Sequence, residues 1–170
     1  MTSANLTASS NDSNLCLGIH IMSSIEQQLN RRILILDGAM GSMIQTYHLT
    51  DKDFQGQNGN NEILNLTRPD VIGEIHRRYL QAGADIISTN TFSAQRISLA
   101  DYHCESLVHD INLAAARLAR SEADRYSAVN PEKPRYVAGS LGPSNKTLSL
   151  SPDVNDPAYR ALTFDEMASA

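Results

Sequence analysis

The stretch Ile33-Leu34-Ile35-Leu36-Asp37-Gly38-Ala39-Met40-Gly41-Ser42-Met43-Ile44-Gln45 decides the fold. Four aliphatic residues end in an acid, and small residues follow. A later segment, Ala82-Gly83-Ala84-Asp85-Ile86-Ile87-Ser88-Thr89-Asn90-Thr91-Phe92, repeats the design. Each run reads as a buried strand that delivers polar residues at its C-terminal end, which is how a parallel α/β enzyme builds its site.

Helical signals surround these runs. Ser23 with Glu26 matches a capping box, and the first strand is expected over 33–36. Gly38 and Gly41 then turn the chain into a short helix through Met43, Ile44 and Tyr47. Residues 51–61 form a polar loop. Thr67 with Asp70 caps the next helix, Pro69 sits in its first turn, and Gly83 stops it. The second strand is expected over 85–89. Leu107, Ile111, Ala114, Ala115, Leu118 and Ala119 recur at helical spacing within about 105–126. Pro131 and Pro134 precede a third strand over 135–140. Thr163 with Glu166 announces a last helix. Strands alternating with helices imply parallel pairing. A (β/α)₈ barrel needs roughly 250 residues. The 170 residues here make either a small open sheet or less than half of a barrel.

Composition narrows the function. The chain is 41% hydrophobic and 19% charged, with a net charge of -5. That balance suits a soluble domain and gives no electrostatic case for nucleic acid or an anionic membrane. The aliphatic runs are too short to span a bilayer. Cys16 and Cys104 are too few for a disulfide framework and sit in no metal-ligand spacing, so a cytosolic, reducing compartment is the default. The Asn-x-Ser/Thr triplets at Asn5, Asn11, Asn65 and Asn145 lack a secretory signal and read as chance matches. Residues 1–21, rich in Ser, Asn and Thr, read as a disordered leader, with the domain over 22–170.

Three strand ends carry candidate chemistry. Asp37 either binds an amine or caps the short helix after it. Gly38, Ala39 and Gly41 either let a ligand carboxylate approach backbone N–H groups or serve as plain turn residues. Alternation places Ser88 and Asn90 on one face and Thr89 and Thr91 on the other, with one pair facing the mouth. Asn145 belongs to the loop after the third strand. The spacing is not a dinucleotide or Walker fingerprint, which excludes nucleotide binding. None of the five histidines has a metal-like partner at i, i+4. His76, His103 and His109 read as solvent-side or half-buried, and Cys104 as a packed structural thiol.

Together the strand ends resemble the homocysteine-binding domain of the cobalamin-dependent methionine synthase family. The carrying segments are 36–45, Gly59-Asn60-Asn61, 82–92 and Arg135-Tyr136-Val137-Ala138-Gly139-Ser140-Leu141-Gly142-Pro143-Ser144-Asn145-Lys146-Thr147. The last segment points to the cobalamin-dependent branch. The resemblance implies the first three strand–helix units of an incomplete (β/α)₈ TIM barrel. It also implies methyl transfer from methylcobalamin to the zinc-bound thiolate of homocysteine, with folate and cobalamin modules elsewhere in the parent. Asp37, Gly38, Ala39, Asn90, Thr91 and Asn145 fall at its substrate-binding positions. No metal ligand is expected in this chain, which is expected to hold neither zinc nor cobalamin alone. Two departures stand out. Ala39 replaces a second glycine, and Ser88 replaces a glutamate. The alternatives are a cobalamin-independent homocysteine S-methyltransferase and a non-catalytic truncated product.

Overall fold

The computed structural model describes residues 24–170. The expected leader over 1–21 and the capping residue Ser23 lie outside them. The first helix, α1 (Ile25–Leu29), is capped one residue later than expected. Ser24 accepts from the Gln27 N–H while the Gln27 side chain returns to the Ser24 N–H. Then come α2 (Met40–Ile44), α3 (Leu64–Thr67) and α4 (Pro69–Ala82). Strand β1 (Ile86–Ser88), α5 (Arg96–Leu99), α6 (Val108–Val129), β2 (Tyr136–Ala138) and α7 (Phe164–Ala168) complete the order.

The two strands pair in parallel, with Ile86 opposite Tyr136 and Ser88 opposite Ala138. The long α6 makes the crossover, as parallel neighbours require. Burial alternates along β1. Ile87 is fully buried against Leu80 of α4 and Ala119 and Ala123 of α6, while Ile86 and Ser88 face the opposite, half-open side. A helix layer of α4 and α6 therefore backs one face of the sheet. Gly73 helps it close, because a Cβ there would already touch Leu118 at 3.4 Å. Arg77 of α4 reaches the buried Glu122 of α6 at 2.7 Å across the same seam.

The 33–36 run corrects the expectation of a full first strand. Only Leu36 forms a bridge, parallel to Ile86, although the Asp85 and Ile86 N–H groups both donate to the Ile35 carbonyl. Its other edge has no partner among the described residues, and Ile33 is 88% exposed. A strand bound on one edge forms few of the ladder bonds that define one.

Thr67 is a second correction. It ends α3 instead of capping α4, since its hydroxyl donates to the Ile63 carbonyl at 3.3 Å. Asp70 pairs with Arg68, which also reaches Asp53 and so anchors the 51–60 loop to the start of α4. Gly83 ends α4 in the left-handed region at φ 111°, as glycine does at helix C-termini. The Thr163–Glu166 capping box forms at the start of α7. Asn65 is buried and donates to the Asn90 carbonyl, so the folded chain cannot present that triplet for glycosylation.

The N-terminal end of the sheet is tied by one buried acid. Asp85 is 1% exposed and accepts from the Ile35 N–H at 3.0 Å. Arg32 lies 2.9 Å from it, Arg135 3.5 Å and Lys133 3.6 Å. Burial alone would raise its pKa, but the Arg32 hydrogen bond, the Ile35 N–H and the charges of Arg32 and Lys133 hold it below the usual range.

His76 departs from its expected half-exposed place. It is fully buried on α4, and neither ring nitrogen has a hydrogen-bond partner. Burial pushes its pKa from 6.5 down to about 4. The unfolded chain therefore takes up a proton at a higher pH than the folded one. The stabilisation is full above pH 6.5 and fades as pH falls toward 4, a loss of about 3 kcal/mol from this group. Urea unfolding across that window should show the loss in the wild type and a shallower pH dependence in His76→Leu. Parallel curves would contradict the assignment.

Candidate functional site

The polar ends of the strands meet in one cleft of about 630 Å³ at the C-terminal edge of the sheet. The 36–41 turn forms one wall. Asn61 and Glu62, from a 3₁₀ turn over Asn61–Ile63, form a second. Ser88, Thr89 and Asn90 form the floor, and Ser140 and Asn145 close the far side. Among the described residues the lining carries three acids, Asp37, Glu62 and Asp101, and no lysine, arginine or histidine.

Asp37 is not a helix cap. The residue that begins α2 is Ala39, and no side-chain hydrogen bond caps that helix. The Asp37 carboxylate instead accepts from Ser88 twice, from its N–H at 2.8 Å and its hydroxyl at 2.9 Å. The bridge of Leu36 to Ile86 sets this register, and the Asp37 N–H donates to the Ile86 carbonyl at 2.9 Å. Burial raises the Asp37 pKa above the usual carboxylate value, against the opposing pull of both Ser88 donors. Among the described residues it forms no ion pair.

The turn after Asp37 is shaped from behind by Tyr79 of α4. The Tyr79 hydroxyl donates to the Ala39 carbonyl at 3.1 Å. A Cβ on Gly38 would stand 3.0 Å from that oxygen, which accounts for glycine there. Ala39 itself has φ -63° and ψ 113°, extended backbone open to any residue, so alanine in place of a second glycine costs no strain.

Asn90 and Thr91 part company. Asn90 lines the cleft, its amide donating to the Asn61 carbonyl at 2.8 Å. Thr91 lies behind the lining. Its hydroxyl donates to the Ser140 carbonyl at 2.8 Å and sits 2.6 Å from the Thr89 hydroxyl, which in turn accepts from the Ser140 N–H. These bonds carry the β1 loop onto the β2 loop. Asn145 reaches the cleft and donates to Asp101. Five expected positions, Asp37, Gly38, Ala39, Asn90 and Asn145, thus share one cleft, with Thr91 as a brace. Glu62, Asp101 and Tyr102 also line it and were not singled out in the sequence. Glu62 directly follows the Asn60-Asn61 pair, which is the one signal that points to it. Its carboxylate accepts from the Ser93 N–H at 2.9 Å and so orders the loop after β1.

Cys104 packs with Ile63, Leu99 and Ile111, and its thiol lies on the Gln57 side-chain oxygen. Among the described residues no group of three or more His, Cys, Asp or Glu converges as a metal site.

Polar strand ends converging on one cleft at the C-terminal edge of a parallel sheet mark an α/β enzyme domain. The match of a homocysteine S-methyltransferase profile to residues 34–170 makes the assignment specific: the chain belongs to that family, whose members are methyltransferases. Solved structures agree. The metallated form of the Escherichia coli homocysteine methyltransferase MmuM is 26% identical with a TM-score of 0.55, over 69% of this chain and 40% of that one. The oxidised form of the same protein is 28% identical with a TM-score of 0.55, over 68% of this chain and 39% of that one. The chain thus spans about two fifths of the length of these solved relatives. Among the described residues no helix is long and apolar enough to cross a membrane.

The two loops meet most tightly at Gly142. Its N–H donates to the Phe92 carbonyl at 2.9 Å, and a Cβ would stand 2.6 Å from that oxygen. Around Gly139 there is nothing within 4 Å. Gly142→Ala should lower unfolding stability by about 1–3 kcal/mol by forcing the loops apart, while Gly139→Ala changes little. Equal effects in denaturant titrations would contradict the contact's importance.

Proposed function

We propose that the cleft is the amino acid clamp of a homocysteine-binding (β/α)₈ barrel, of which residues 22–170 supply the first three strand–helix units. The observation that carries this reading is Asp37, a half-buried carboxylate in the cleft that is hydrogen-bonded but, among the described residues, not ion-paired. A substrate ammonium supplies the missing countercharge. Among the described residues the lining has no cationic side chain. The substrate carboxylate therefore falls to the backbone N–H groups of the turn at Gly38 and Ala39, where no side chain caps the helix that follows. Asn90 and Asn145 line the remaining wall, and Thr91 holds the two loops in register.

The parent activity on this reading is methyl transfer to homocysteine sulfur, giving methionine. The 135–147 segment supports the cobalamin-dependent methionine synthase branch. Homocysteine, the rest of the barrel, and folate and cobalamin modules are the partners, in the cytoplasm. Zinc makes a bound thiol a nucleophile at neutral pH when present. The described residues do not fit it, because Cys104 is enclosed in an apolar cluster and no ligand set converges. On this reading residues 22–170 serve substrate recognition, and by themselves they do not carry out the methyl transfer.

Isothermal titration of the chain with L-homocysteine tests the reading. Binding should be the same with and without zinc, and should be lost with 4-mercaptobutanoate, which lacks the amine. Zinc-dependent binding, or equal affinity for the two thiols, would overturn the clamp as drawn.

A further inference from the structure

We infer that Ser88 is the positioning residue that orients the Asp37 carboxylate toward the cleft, an inference resting on the clamp reading of Asp37. Ser88 holds both oxygens of one carboxylate. Its N–H donates to Oδ2 at 2.8 Å and its hydroxyl to Oδ1 at 2.9 Å. Two donors from one residue, one on each oxygen, fix the plane of the group as well as its place. A single donor would leave it free to turn about χ2. The arrangement is set by the backbone, because the parallel Leu36–Ile86 bridge and the Asp37 N–H bond to the Ile86 carbonyl leave Ser88 one residue beyond the position facing Asp37, within reach of its carboxylate.

The two ends of the sheet make the contrast. Asp85, at the N-terminal end, is surrounded by Arg32, Lys133 and Arg135 and has no charge left to offer. Asp37, at the C-terminal end, receives only neutral donors and lies on the cleft. Neutral donors hold a carboxylate still without cancelling its charge. That charge stays available to a cation arriving from the cleft. In this chain a serine at position 88 therefore acts on the carboxylate of its neighbour, which explains how a short hydroxyl side chain serves at a position where glutamate would bring a second negative charge.

Ser88→Ala removes the hydroxyl bond and keeps the N–H bond, whereas Ser88→Thr keeps both donors. The readout is the titration of the Asp37 carboxyl, followed by ¹³C NMR in aspartate-labelled chain and assigned with Asp37→Asn. The midpoint should move upward in Ser88→Ala and return toward the wild-type value in Ser88→Thr. Homocysteine affinity should weaken about tenfold in Ser88→Ala and recover in Ser88→Thr, the effect of losing one hydrogen bond to a charged group. A merely structural serine would change thermal stability without moving the Asp37 midpoint. An unmoved midpoint in Ser88→Ala overturns the inference whatever binds. A moved midpoint in a chain that binds no homocysteine upholds the Ser88–Asp37 coupling and overturns homocysteine as the ligand.

Discussion

The sheet depends on one buried acid. Asp85 is 1% exposed and joins three segments that are distant in sequence. Its side chain accepts the Ile35 N–H, its own N–H donates to the Ile35 carbonyl, and its carbonyl accepts from the Tyr136 N–H. Arg32 approaches from before the first aliphatic run, and Lys133 and Arg135 from before β2. Lys133 and Arg135 also donate to the Gly83 carbonyl, so the same cations close the C-terminal end of α4. With β1 and β2 only three residues long, this cluster does what a longer ladder does elsewhere. Removing a buried charge that partners such a cluster leaves its cations uncompensated, which is why it is hard to replace.

From that anchor the strands run to the opposite edge, where the same chemistry is used differently. Side chains again bind neighbouring loops to one another: Asp37 to Ser88, Thr91 to Ser140, Asn90 to Asn61. Here, however, the donors are neutral, and among the described residues the acids of the lining have no cationic partners. At one end of the sheet the acid is ringed by cations, and at the other, among the described residues, the acids have none. The buried ion pairs lie at the N-terminal edge and the cleft at the C-terminal edge, the division characteristic of parallel α/β enzymes.

Much of this was legible in the sequence where local patterns decide. Ile86 and Ile87 flanked by glycine and polar residues located β1, the recurring apolar positions from Ile111 onward located α6, and Gly83 marked the end of α4. What failed depended on partners far along the chain. The 33–36 run has the composition of a strand, but a strand exists only with neighbours on its edges. Thr67 followed by Asp70 spells a cap, yet the Thr67 hydroxyl finds the Ile63 carbonyl first. His76 lies on α4 and is fully buried by the tertiary fold, which no local pattern reveals.

The candidate site followed the same rule. The strand-end residues were visible because each terminates an apolar run. Whether Asp37 capped a helix or faced a ligand was not decidable locally. The Ser88 donors, 51 residues away, take the carboxylate and leave the helix uncapped by it. Thr91 sat beside Asn90 in the sequence and was read with it, but alternation sends it to the other side, where the Ser140 carbonyl takes its hydroxyl.

The central claim is that two aspartates divide the work, Asp85 holding the sheet and Asp37 holding the ligand. Thermal unfolding of the wild type, Asp85→Asn and Asp37→Asn, each with and without L-homocysteine, tests it most directly. Asp85→Asn should lose about 3 kcal/mol or more before any ligand is added. Asp37→Asn should unfold at or slightly above the wild-type temperature, because burial already disfavours its charge, and should lose the ligand-induced rise. An Asp37→Asn chain that keeps the full rise, or that is destabilised as much as Asp85→Asn, would contradict the account.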